Sequence, residues 1–181
     1  EPSPPDGFFF ACPPTHSTRS FLLIFTEMIP FSSFTLPNGL RVLVHEDHTV
    51  QIAVINILYD VGSRDESADK TGFAHLFEHL MFQGSESMAK MELARLVQEN
   101  GGNLNGSTRY DYTNYFESMP AHTLDLALWM EADRMRNLAL REDDRRPEMV
   151  VVRNEFERGE NDPRAALDKE LWSAAFQAHP Y

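Results

Sequence analysis

Cysteine is almost absent from this chain, because Cys12 is the one cysteine among 181 residues. A single thiol excludes an internal disulfide and a zinc site built from several cysteines. A bound metal ion would therefore need histidine, aspartate or glutamate ligands. Long apolar runs are also missing: no stretch of about eighteen apolar residues occurs, so the sequence predicts no membrane-spanning helix.

Basic residues are scarce relative to acidic ones. The chain has 16 Lys and Arg against 28 Asp and Glu, which gives a formal net charge of -12 at pH 7. Nucleic-acid binding requires clustered Lys and Arg, so we expect no nucleic-acid partner. The acidic balance favours solubility and a site that holds a cation or attracts basic substrates. Apolar residues make up 42%, which is typical of a soluble globular protein.

The first 27 residues differ in composition from the rest. They are rich in Pro and Ser, lack periodicity, and contain an apolar stretch, "FLLIF", that is too short for a signal-peptide core. We therefore predict that residues 1–27 are a disordered or non-native extension and that residues 28–181 are one folded domain. The chain stops at "FQAHPY" directly after a helical pattern, so we expect this domain to be truncated at its C-terminal end.

Residues 28–181 alternate between strand and helix patterns. Pro37-Asn38-Gly39 predicts a hairpin turn, and the apolar run at residues 51–62 predicts a central strand. The segment "NLNGSTRYDYTNYFESM" predicts one or two strands. Amphipathic periodicity predicts helices at 72–82, in "KMELARLVQENGG", in "AHTLDLALWMEADRMRNLAL", at 143–160 with Pro147 near its first turn, and in "RAALDKELWSAAFQ". This pattern favours a sheet with helices packed on it, in an α+β or α/β arrangement.

The stretch "TGFAHLFEHLMFQG", residues 71–84, carries two histidines and a glutamate on an apolar helix. Positions i, i+3 and i+4 share one helix face, so His75, Glu78 and His79 point the same way. Two imidazoles at this spacing can bind one zinc ion, and the adjacent carboxylate can act as a general base. His-x-x-Glu-His is the inverzincin motif. The alternative is a pair of core histidines that hydrogen-bond backbone carbonyls.

A catalytic zinc needs a third protein ligand, and the helix at 143–160 offers several acids. The candidates are Glu148, Glu155, Glu157 and Glu160. Glu148 and Glu155 are two turns apart and share a face with Val151 and Val152, which predicts that this face turns inward. The alternative is a salt-bridged helix, in which these acids pair with Arg145, Arg153 and Arg158. Spacing alone does not decide between these acids.

Four segments occur together and in a characteristic order: "GFAHLFEHLMFQGSE", "GGNLNGSTRYDYTNYFESMP", "LALWMEADRM" and "VVRNEFERGENDP". With them, residues 34–181 resemble the N-terminal catalytic domain of the pitrilysin/insulinase family of zinc peptidases. The family's third zinc ligand is the glutamate of an Asn-Glu pair 76 residues beyond the second histidine, and Asn154-Glu155 stands there. The resemblance therefore implies His75, His79 and Glu155 as ligands of one zinc ion per chain. It implies Glu78 as the base, Glu148 as a supporting residue, and an α+β fold whose mixed, largely antiparallel sheet is packed with helices.

The same resemblance implies a substrate-binding strand. In the family the region of "NLNGSTRYDYTNYFE" forms an edge strand beside the zinc, and an extended peptide pairs with it. Asn105 and Gly106 match the positions that face the substrate; the family often has alanine at the second, a change that we expect to be small. The aromatic residues of this segment form a substrate groove or sheet core, and we expect core for most of Tyr110, Tyr112, Tyr115 and Phe116. The "HEDH" at 45–48 is either a second metal site or a solvated turn, and we expect the turn.

The resemblance implies a zinc-dependent endopeptidase that hydrolyses peptides or unfolded polypeptide segments. It also implies a second homologous half, on the same chain or another, which closes a chamber around the substrate. That half is missing here, so hydrolysis by the isolated chain is left open. The alternatives are a non-catalytic partner subunit of the same fold and a metal hydrolase with another substrate. The intact motif favours the peptidase. The compartment is not predicted; relatives occur in the bacterial cytoplasm or periplasm and in organelles.

Overall fold

A computed structural model describes residues 29–181 of the chain. The predicted extension, residues 1–27, lies outside the described residues. The described residues divide into two compact units, the first ending at Thr49 and the second spanning Val50–Tyr181. Among the described residues, none of the helices combines the length and the apolar character that crossing a membrane requires.

The first unit contains the predicted hairpin. Strands β1 (Ser32–Thr35) and β2 (Arg41–Val44) pair antiparallel, with Phe34 opposite Val42. The turn between them needs a left-handed residue, and Gly39 supplies it with φ 88°. The "HEDH" segment that follows β2 is exposed, as expected for a solvated turn.

The second unit contains a three-stranded antiparallel sheet. Its strands are β3 (Ile52–Tyr59), β4 (Asn103–Thr108) and β5 (Thr113–Pro120), in the order β3-β5-β4. The α+β class with a largely antiparallel sheet is therefore confirmed. The prediction of a central strand at 51–62 is wrong for the described part of the chain, because β3 lies at one end of its sheet. Alternate β3 side chains are exposed, including Val54 at 67% and Leu58 at 63%. The middle strand is β5.

Within residues 50–181, five helices accompany this sheet, all of them at predicted positions. They are α1 (Phe73–Leu80), α2 (Glu92–Glu99), α3 (Leu124–Asn137), α4 (Glu142–Glu160) and α5 (Pro163–Ala175). Pro147 lies in the second turn of α4 rather than the first, so the helix contains it as an interior proline. A cluster of buried apolar side chains lies between the sheet, α2 and α3, and comprises Met88, Leu93, Val97, Met119, Ala127 and Met130.

A buried cluster of charged side chains lies where β5 meets α3. Glu117, Glu131 and Arg134 are each at most 2% exposed. Arg134 donates from Nε to Glu131 Oε2 at 2.8 Å and from Nη2 to Glu131 Oε1, while its guanidinium carbon lies 4.5 Å from the Tyr115 ring centroid. No donor among the described residues reaches either oxygen of Glu117. Burial and the neighbouring Glu131 raise the pKa of Glu117 to about 8, so this carboxyl carries a proton at neutral pH.

Candidate metal centre

Helix α1 presents the histidine pair on one face. Its N-terminus is stabilised by Glu66, whose two carboxylate oxygens accept from the backbone N–H groups of Gly72 and Ala74 at 2.8 and 2.7 Å. Leu76 and Leu80 are buried. His75 and His79, one turn apart, lie on another face, with side-chain exposures of 40% and 19%.

Helix α4 packs against α1 and supplies two carboxylates. Glu148 and Glu155 lie two turns apart on its inner face, with side-chain exposures of 14% and 37%. The inward prediction is correct for these acids and for Val152, which is half-buried, but wrong for Val151, which is 39% exposed. The salt-bridged alternative is not met among the described residues, since Arg145 pairs with Glu142 instead of the acids on the inner face.

Three potential ligand atoms converge between the two helices. His75 Nε2 lies 3.3 Å from His79 Nε2, and Glu155 Oε2 lies 3.5 Å from each of them. Ligands on a tetrahedral zinc at bond lengths of about 2.0–2.1 Å are separated by about 3.3–3.4 Å. The three atoms therefore have the spacing of one face of a zinc tetrahedron. This is the one group of His, Cys, Asp and Glu ligand atoms that converges in this way within residues 29–181.

Glu148 touches the histidine pair from the other side. Its Oε2 lies 3.2 Å from His79 Nδ1, so a neutral imidazole donates its Nδ1–H to this carboxylate. That tautomer leaves an unprotonated lone pair at His79 Nε2, directed at His75 and Glu155. Several lone pairs facing one another repel unless a cation or a proton lies between them. The donor set therefore fits a zinc ion.

Glu78 has a different environment from these four residues. It is 9% exposed, and its Oε2 accepts a hydrogen bond of 2.5 Å from the Thr108 hydroxyl. A Cβ added at Gly106 would lie 3.2 Å from Glu78 Oε1 and 3.1 Å from Tyr115. Alanine at 106 would thus require these neighbours to move by a few tenths of an ångström, so the change is larger than the sequence led us to expect.

Strand β4 borders the histidine pair and forms one end of its sheet, as predicted for the substrate strand. A groove of about 600 Å³ runs between β4 and α1, lined by Ser63, His75, Glu78, and residues 106–110. Gly106 thus lies in the groove, whereas Asn105 is exposed and its Oδ1 accepts from the Gly106 N–H at 2.8 Å.

The aromatic residues after β4 separate into two sets. Tyr115 is core, at 3% exposure, whereas Tyr110 and Tyr112 are each 37% exposed and Phe116 is half-buried. Tyr110 also lines the groove. The expectation that most of these rings are core is therefore wrong, because Tyr115 is the one fully buried ring of the four. Thr108 was not identified from the sequence as a site residue.

The model of the insulinase family, peptidase family M16, matches residues 41–181. The chain belongs to this family. It is 37% identical over 151 residues to zinc protease PqqE of Helicobacter pylori, covering 82% of this chain and 34% of that protein.

The chain is also similar to a eukaryotic relative and to a solved structure. A probable mitochondrial-processing peptidase subunit beta of Arabidopsis thaliana is 31% identical over 146 residues, covering 81% of this chain and 28% of that protein. The crystal structure of a protease from Helicobacter pylori aligns with a TM-score of 0.73 and 35% identity, over 77% of this chain and 34% of that one. The chain thus spans about a third of the length of the curated relatives that it matches.

Proposed function

We propose that this chain carries the catalytic site of a zinc-dependent endopeptidase that hydrolyses peptides or unfolded polypeptide segments. The observation that carries the proposal is the convergence of His75 Nε2, His79 Nε2 and Glu155 Oε2 with mutual distances of 3.3–3.5 Å, next to the buried Glu78. In the proposal, His75, His79 and Glu155 hold one zinc ion per chain. The names of the relatives, which are zinc proteases, support this assignment.

Each remaining residue has a role in the chemistry. When bound, zinc would polarise the scissile carbonyl and lower the pKa of water toward neutral. Glu78 takes a proton from the attacking water on Oε1, the oxygen that Thr108 leaves free, and delivers it to the leaving amine. Glu148 holds the His79 ring in the tautomer whose Nε2 is a ligand.

The substrate lies in the groove between β4 and α1. The outer edge of β4 has no strand partner among the described residues, so the backbone of an extended peptide can pair with it. Asn105 and Gly106 would then contact the substrate backbone, and the scissile bond would pass Glu78. The half-exposed His75 and Glu155 leave the site open on one side, where a second homologous half, in the same chain or another, would close a chamber.

Zinc content, measured by elemental analysis, tests this proposal. We expect one zinc per chain in the wild type and in Glu78→Gln, and none in His79→Ala, because Glu78 is a base and His79 a ligand. His122→Ala is the matched control, since His122 is exposed and remote in sequence from the motif. A wild type without zinc would contradict the metal site. Zinc retained with unchanged peptide hydrolysis in Glu78→Gln would contradict the role of Glu78.

Removing the charge that faces His79 should weaken zinc binding without abolishing it. We expect Glu148→Gln to lower zinc affinity about 10- to 100-fold, the usual effect of losing a carboxylate that orients a histidine ligand. Competition with a chromophoric chelator measures the affinity. Glu157→Gln on the exposed face of α4 is the control and should bind zinc as the wild type does. Equal affinities for the two variants would mean that the contact between Glu148 and His79 does not support the metal.

A further inference from the structure

Among the described residues, Thr108 supplies the one hydroxyl that donates a hydrogen bond to Glu78. It donates from Oγ1 to Glu78 Oε2 at 2.5 Å, from a position 30 residues further along the chain. Thr108 is the last residue of β4, and its backbone pairs with Thr113 of β5. The contact therefore joins the edge strand to the helix that carries the histidine pair.

The neighbouring hydroxyl does not compete for this hydrogen bond. Thr113 Oγ1 lies 3.5 Å from Thr108 Oγ1, but it donates its own proton to the carbonyl of Val61 at 3.0 Å. The single proton of Thr108 has two acceptors within reach, and the shorter contact leads to a carboxylate. Hydrogen bonds to an ionised acceptor are roughly twice as strong as neutral ones, so the proton goes to Glu78.

The geometry also leaves one carboxylate oxygen in the groove. With Oε2 engaged by Thr108, Oε1 remains, and it lies 3.2 Å from the place that a Cβ of residue 106 would occupy. Both Gly106 and Glu78 line the groove. The missing side chain at 106 and the hydroxyl at 108 together determine where the carboxylate can lie.

We propose that Thr108 is a positioning residue for Glu78: its hydroxyl fixes the carboxylate so that Oε1 faces the substrate groove. Because Thr108 is part of the strand that would bind the peptide, it also fixes the distance between the peptide backbone and the base. This inference rests on the proposed function, in which Glu78 exchanges protons with the attacking water and the leaving amine.

Three variants of the full chain test the role of the hydroxyl. Thr108→Val removes it with little change in shape, Thr108→Ser keeps it, and Thr123→Val is the control. Thr123 is buried and, like Thr108, donates a hydrogen bond, at 2.7 Å, but its acceptor is the carbonyl of Pro120, the last residue of β5. The readouts are zinc content, the Glu78 conformer in crystal structures, and kcat and KM for an unstructured peptide.

We expect Thr108→Val to bind one zinc, to show Glu78 displaced or in more than one conformer, and to lose about 10- to 100-fold in kcat with KM changed by less than about twofold. Thr108→Ser should restore the wild-type conformer and kcat, and Thr123→Val should retain both. The proposal would be overturned if Glu78 keeps its wild-type conformer in Thr108→Val, or if Thr108→Ser has a kcat no higher than that of Thr108→Val.

The outcomes also separate this inference from the proposed function. The peptidase assignment, and with it the role of Thr108, would be overturned if the wild type contains no zinc or if Glu78→Gln hydrolyses the peptide as fast as the wild type. The positioning role alone would be overturned if the wild type binds zinc, Glu78→Gln is inactive, and Thr108→Val is as active as the wild type. The crystal structures test the contact even if the wild-type chain hydrolyses no peptide, because they need no turnover.

Discussion

Replacing Arg134 by methionine should lower the free energy of unfolding by about 3–5 kcal/mol, the usual cost of leaving one member of a buried ion pair without its partner. Arg134 is 2% exposed, and its Nε and Nη2 both donate to Glu131, which is equally buried. Methionine fills a similar volume beside the Tyr115 ring, so most of the loss comes from the charge left on Glu131.

Urea denaturation monitored by circular dichroism measures this effect. Arg95→Met is the control, because Arg95 pairs with Glu92 and Glu99 on the surface, at 53% side-chain exposure, and exposed pairs contribute about 0–1 kcal/mol. A second variant that also replaces Glu131 by leucine should recover much of the lost stability, since an apolar pair can substitute for a buried ion pair. Equal losses for Arg134→Met and Arg95→Met would contradict the assignment of a buried pair.

Glu117→Gln should stabilise the protein in alkaline solution and leave its stability in acid unchanged. Burial and the adjacent Glu131 raise the pKa of Glu117 from its ordinary 4.5 to about 8. Between these pH values the folded chain keeps the proton and the unfolded chain releases it. The stability that Glu117 contributes is therefore fully present below pH 4.5 and is lost as the pH rises through 8, at about 1.4 kcal/mol per pH unit, on the order of 5 kcal/mol in total.

Urea denaturation curves of the wild type and Glu117→Gln at about pH 5, 7 and 9 test this, because these values span the range in which the Glu117 contribution is lost. Glutamine resembles the protonated acid at every pH, so the variant should lose the component of the pH dependence that Glu117 contributes. Glu86→Gln removes an exposed carboxylate and should behave as the wild type does. If Glu117→Gln and the wild type show the same pH dependence, the proton is not held by Glu117.

The elements of the fold were largely predictable from the sequence, because periodicity and turn chemistry are local. The hairpin at Gly39 and all five helices occur where the patterns predict them. The position of β3 within its sheet was not predictable, because a continuous apolar run indicates burial on both faces and says nothing of which strands are neighbours. Val54 and Leu58 are exposed among the described residues despite that run.

The metal centre was predictable in part. The spacing of His75 and His79 follows from one helical turn and predicts a shared ligand face. The third ligand required more, because Glu148, Glu155 and two further candidate acids, Glu157 and Glu160, lie on the same helix. The family resemblance implied Glu155. In the structure Glu155 faces both histidines, while Glu148 faces only the far nitrogen of His79.

Side-chain contacts between segments far apart in the chain could not be predicted from the sequence. Thr108 meets Glu78 only because β4 lies beside α1, and threonine is an ordinary strand residue with no pattern to distinguish it. The same is true of Glu117 and Arg134, which come together where β5 crosses α3. The available signal for this cluster was Glu117 itself, an acidic residue directly after Tyr115 and Phe116 in a predicted strand.

Tyr115 lies between residue 106 of the groove and the buried ion pair of Arg134 and Glu131. One part of its ring lies against the Arg134 guanidinium, and its Cδ1 lies close to the place where a Cβ of residue 106 would be. A larger side chain at 106 would push the Tyr115 ring toward the ion pair of Arg134 and Glu131. Redesign of the groove at that position therefore has to proceed together with repacking of the interior, and selection for a new substrate would be expected to act on both.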